Sequence, residues 1–173
     1  MGMLVNTTMA ELSDLTFRTA FIVYIVALIL AFIYYGRVNS VIEARREALA
    51  EKKVLVGAGG PEVVEKQKPD EEMIANARKW AGMTQALVWV GVALHLVAFV
   101  TRGLAAGRFP LGNLYEYILF MTAVIMVVAA VVVQRKNWHT VWPWLLFPMV
   151  IAMFLNSTAV SYTHLRAHET RGN

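Results

Sequence analysis

The chain has 173 residues, 58% hydrophobic and 16% charged, with a mean hydropathy of +0.52 and a formal net charge of +4. Its charges are segregated from long apolar runs, which places it in the membrane class and makes the positive balance a topology signal before a partner signal. Without cysteine, disulfides, thiol exchange and thiolate metal sites are excluded, and basic residues gathered in one acid-rich linker argue against a nucleic-acid partner.

Residues 1–14 hold no Lys or Arg and two acids, Glu11 and Asp14. Leu15 to Tyr35 is the first apolar segment, long enough to cross ~30 Å of hydrocarbon at ~1.5 Å per residue. No basic n-region precedes it and no small-residue cleavage site follows it, so a cleaved signal peptide is not expected. Arg18, near its end, can snorkel to the interface. Gly36 to Lys79 is a charged linker in which Gly57-Ala-Gly-Gly-Pro61 separates two arms expected to be helical. Val54 to Gly60 superficially resembles the opening of a dinucleotide fingerprint, but Pro61 follows at once and no βαβ unit fits before Trp80.

Further spans are predicted at Trp80–Val100, Leu114–Val133 and Trp142 to about Ala159. Trp80, Trp138, Trp142 and Trp144 fall at span ends, as an interfacial aromatic belt requires. Pro143 suits the first turn of the fourth span, and Pro148 is expected to kink it. The basic linker fixes the cytoplasmic side, which puts the N-terminus and the 101–113 loop outside and residues 134–141 inside. The fold class is therefore an all-α integral membrane protein with four transmembrane helices.

Between the second and third spans lies Gly107-Arg-Phe-Pro-Leu-Gly-Asn-Leu-Tyr-Glu-Tyr117. Pro110 and Gly112 predict a turn; Asn113 reads as an N-cap and Glu116 as its return partner in a capping box. Local physics leaves unexplained why Arg108, Phe109, Tyr115 and Tyr117 crowd the same point. Tyr115 and Tyr117 must point to different helix faces. Glu116 could serve as a proton or substrate contact instead of a cap.

His95 is the histidine inside a predicted span, and Arg102 follows at i+7 on nearly the same face. Imidazole ligates iron and guanidinium pairs with carboxylates, so the pair suits a haem iron and a haem propionate. The competing reading has His95 hydrogen-bonded within the bundle and Arg102 anchored at the interface. His139, beside Arg135 and Lys136, reads as solvated. No nucleophile–base pair, carboxylate pair or phosphate-cradling loop is seen, so no catalytic residue is assigned. In the tail, Val160 to Thr170 resembles an in-frame translation of a sequencing-library adapter. That reading sets aside the i,i+4 pair His164 and His168 as a metal site and makes residues 160–173 an expected artefact that interrupts the chain near Ala159.

The motif Gly107-x-Phe109-Pro110-Leu111-x-Asn113-Leu114-Tyr115-Glu116 resembles the haem-handling membrane proteins of system II cytochrome c biogenesis, and the likeness extends over residues 80–159. The resemblance implies an N-terminal fragment of a larger bundle in the bacterial cytoplasmic membrane. Residues 80–159 would open its cytochrome c assembly domain. The bundle would move haem (b-type, as substrate) outward and present it to apocytochrome c, assisted by a second system II membrane subunit. The family activity implied is that of a holocytochrome c synthase, or haem lyase. The family's Trp-Trp-Asp segment and outer histidines have no counterpart here, so a fragment inactive alone is expected. The alternatives are a non-catalytic respiratory-complex or assembly subunit, and a small transporter, the latter disfavoured by the lack of an inverted repeat.

Overall fold

A computed structural model describes residues 7–57 and 71–169 of the chain, with side chains described over 7–50 and 71–158. Residues 58–61 of the predicted linker break, and the side chains of His164 and His168, lie outside these limits. All the described elements are helical: α1 (Thr7–Gly57), α2 (Glu71–Ala106), α3 (Leu114–Lys136), a single 3₁₀ turn (His139–Val141) and α4 (Trp142–Glu169). Each of the four α-helices contains a stretch long and apolar enough to cross a membrane. The chain is an all-α membrane protein, as its composition requires.

The spans are not separate from the linker arms. α1 continues past Tyr35 without a break, so Gly36 to Gly57 carries it roughly 33 Å beyond the apolar segment at ~1.5 Å per residue. α2 likewise begins at Glu71, before Trp80. The two helices meet along one seam, which on α1 ends at Ala31 within the apolar segment. On α1 the buried residues are Ser13, Phe17, Ala20, Tyr24, Ala27 and Ala31, in alternating steps of four and three. On α2, Ala77, Thr84, Gly91, Ala98 and Ala105 recur at every seventh position, all buried, with Ala81, Val88 and His95 between them. A seven-residue repeat keeps one stripe of each helix against its partner, and small residues let the backbones approach closely where lipid supplies no hydrophobic drive. The pairing is antiparallel: Ser13 Oγ donates to the Ala98 carbonyl at 2.8 Å, and Tyr24 lies against Gly91.

Around this hairpin the helices close a ring, α1 against α2 and α4, and α3 against α2 and α4. Large apolar side chains off the seam, such as Ile22, Ile29 and Phe32 of α1, stay exposed. In a membrane they form the lipid-facing surface. At the linker end, Trp142 is fully buried and its Nε1 donates to Gln85 Oε1 at 3.1 Å, while Gln85 Nε2 donates to the Ala130 carbonyl at 3.3 Å. This corrects the belt reading for Trp142: it faces the core because Gln85 offers its indole N–H a partner inside the bundle. Trp138 and Trp144 remain exposed at the same end. Asn137, in the left-handed conformation (φ 53°), ends α3 and turns the chain into the 3₁₀ turn.

Candidate functional site

The 107–113 loop is built backwards onto the end of α2. Gly107 takes φ 61° and its N–H reaches the Leu104 carbonyl at 3.3 Å, a left-handed cap that costs a residue without Cβ least. Pro110 then packs against Gly103, where an added Cβ would stand 3.2 Å from the proline Cδ. With φ fixed by its ring, Pro110 centres a three-residue turn in which Leu111 N–H donates to the Phe109 carbonyl at 2.9 Å. Phe109 is largely exposed, yet its ring meets Phe99 at 5.7 Å and Phe120 at 6.0 Å, tying the loop to both helices.

Asn113 caps α3 as expected: it is extended, and its Oδ1 accepts from the Glu116 N–H at 2.8 Å. The other half of the capping box differs. Glu116 Oε2 accepts from the Gly112 N–H at 2.8 Å, one residue earlier than a reciprocal box would use. Two arginines explain the shift. Arg102 Nε approaches Oε1 at 3.4 Å and Arg108 Nη1 approaches Oε2 at 3.2 Å, so the carboxylate is drawn over the loop. The Arg108 guanidinium lies across Gly112, where any side chain would collide with it. Glu116 is 2% exposed, and at that burial an unpaired carboxylate would be costly. Capping and ion pairing thus use the same side chain.

Arg102 also stacks over Tyr115, with Cζ 5.1 Å from the ring centroid. Asp14 and Arg18 of α1 both lie close enough to act on the Tyr115 hydroxyl. Three guanidinium groups therefore face two carboxylates, and Arg102 Nε, 3.4 Å from Glu116 Oε1, pairs with it by charge without a hydrogen bond. Tyr117, on another face, is exposed, and so is Leu114. The cluster offers positive charge, an aromatic face and an apolar rim at one end of the bundle. Among the described residues there is no grouping of three or more His, Cys, Asp or Glu that could hold a metal ion.

His95 lies deeper on the same face of α2, fully buried. Its Nε2 meets the Thr122 hydroxyl of α3 at 3.2 Å, and its ring stands edge-on to Phe17 at 5.9 Å and Tyr24 at 6.0 Å. Phe17 also meets Tyr115 edge-on at 6.0 Å, so one phenyl ring separates the Arg102 layer from the His95 layer. The face shared by His95 and Arg102 is real, but the two side chains belong to different layers. Sequence reasoning missed Phe17, Tyr24 and Thr122; the seven-residue spacing of Phe17 to Tyr24, and of Tyr115 to Thr122, is the signal that marks them as facing the same seam. His139, read as solvated, is instead half-buried, edge-on to Tyr34 at 6.4 Å.

Comparison with protein-family models, with curated proteins and with solved structures finds no match to this chain.

Proposed function

We propose that the chain is a haem-handling membrane subunit of system II cytochrome c biogenesis, sited in the bacterial cytoplasmic membrane with the 107–113 loop on the outer face. The observation that carries this reading is that four of the resembling residues, Gly107, Pro110, Asn113 and Glu116, build one cluster with Arg102 and Arg108. Gly107 and Pro110 shape the loop, Asn113 starts α3, and Glu116 gathers Arg102, Arg108 and the loop backbone. A motif that merely capped a helix would not need two arginines and a stacked tyrosine.

Haem enters this reading as cargo. Its propionates suit the Arg102 cluster, since the guanidinium lies over an aromatic face and the Arg102 side chain is 25% exposed. His95 fits in chemistry but not in space: Nδ1 has no partner, yet Phe17 and Tyr24 fill the ground beside the ring. No step is therefore routed through His95. The chain's own contribution is to hold an anionic, planar, apolar molecule at the membrane surface, for a second system II subunit and apocytochrome c to use.

The second reading, a non-catalytic anchoring subunit of a respiratory or assembly complex, is favoured by one fact: the Glu116 cluster largely satisfies itself and can serve as a structural clamp. Reading the source DNA across the Ala159 codon separates the two. The haem reading expects the frame to continue, without the 160–173 string, into a Trp-Trp-Asp segment flanked by histidines. A stop codon directly after that string leaves the anchoring subunit as the better reading.

A further inference from the structure

Arg18 lies three residues inside the apolar segment of α1 that begins at Leu15, and it is exposed. It shares a helix face with Leu15, Ile22 and Ile29, all of them exposed and part of the lipid-facing surface. Among the described residues, ion pairs join Glu116 to Arg102 and to Arg108, and none reaches Arg18. Asp14, one turn nearer the start of α1, lies close enough to act on the Tyr115 hydroxyl and forms no ion pair with Arg18. A guanidinium does not lose its proton in a protein, so on a lipid-facing surface it requires an anion.

Its depth selects the anion. The start of α1 lies at the end of the bundle that carries Arg102 and the 107–113 loop, since Ser13 meets Ala98 and Phe17 meets Tyr115. At ~1.5 Å per residue, Arg18 is rooted about 5 Å inside the apolar segment. Helical side chains lean towards their own N-terminus, so its guanidinium reaches back to the layer of lipid phosphates while its stem stays on apolar surface. One turn deeper, Phe21 of α1 stacks on Phe154 of α4 at 6.5 Å, and Phe154 and Ile22 present open apolar surface. A cation at the headgroup layer with an apolar wall beneath it matches a phospholipid. Paired N–H groups fit the phosphodiester, and the wall fits an acyl chain.

We propose that Arg18 holds the phosphate of a bound phospholipid, with an acyl chain laid along Ile22 and Phe154 in the groove between α1 and α4. The lipid supplies the anion that the chain itself does not bring to Arg18. The site does not rest on the haem reading, because it asks nothing of Arg102 or Glu116.

The test is native mass spectrometry of the full chain, released from nanodiscs of phosphatidylglycerol and phosphatidylcholine. A phospholipid should stay bound to the unaltered chain after the surrounding lipid has been stripped, and Arg18→Gln should lose it. Arg37→Gln, at the other end of the same apolar segment and also exposed, should keep it. A second measurement follows Tm in detergent: added phospholipid should raise the Tm of the unaltered chain and leave that of Arg18→Gln unmoved. A chain that retains no phospholipid, or equal losses in Arg18→Gln and Arg37→Gln, would overturn the proposal. If Asp14 were the true partner, Asp14→Asn and Arg18→Gln would lower Tm alike in lipid-free detergent and leave lipid retention unchanged, which also overturns it.

Discussion

A carboxylate as buried as that of Glu116 needs partners for both oxygens, and its partners come from three places: Arg102 of α2, Arg108 of the loop and the Gly112 backbone. Replacing Glu116 by Gln keeps the shape but removes the charge both arginines face. A loss of about 1–2 kcal/mol is expected in detergent unfolding, discounted because Arg108 is 46% exposed on its side chain and screened by water. The effect should shrink in high salt, and a salt-independent loss would point to packing instead. Asn113→Ala removes only the cap, and about 1 kcal/mol should go with it. Asn113 and Glu116 were legible in the sequence because a capping box depends on three-residue spacing alone. The shift of the carboxylate to Gly112 was not, since it is set by Arg108 of the loop together with Arg102 of α2.

At the scale of elements, the α1–α2 hairpin depends on small residues, and at Gly91 the Tyr24 ring leaves no room for a Cβ. Gly91→Ala would drive a methyl group into the Tyr24 ring, an overpacking that costs about 1–3 kcal/mol unless the helices separate. Gly82 has open space where its Cβ would be, so Gly82→Ala should leave stability unchanged or raised. Comparing the two Tm values checks the seam: equal effects would contradict it. The repeat Ala77, Thr84, Gly91, Ala98, Ala105 was open to reading, but apolar span lengths dominate such a sequence and hide a stripe defined by size instead of polarity. The four spans followed from length and hydropathy, whereas the unbroken run of α1 past Tyr35 to Gly57 carries no such signal. Trp142 was misplaced for a related reason: position along the chain puts a tryptophan at the interface, while its rotation about α4 turns it towards Gln85.

For the whole molecule, orientation and cargo can both be measured on this chain. The lack of native cysteine makes single thiols informative. With the proposed orientation, Leu111→Cys should react with a membrane-impermeant maleimide in intact cells, and Leu49→Cys only after lysis; the reverse pattern would invert the bundle. The central claim, that the Arg102 cluster holds haem by its propionates, is tested most directly by titrating haem into the chain in nanodiscs and following its absorption. The account predicts saturable binding that weakens roughly tenfold, about 1.4 kcal/mol, in Arg102→Gln. Non-saturable uptake, or saturable binding unchanged by Arg102→Gln, would contradict it.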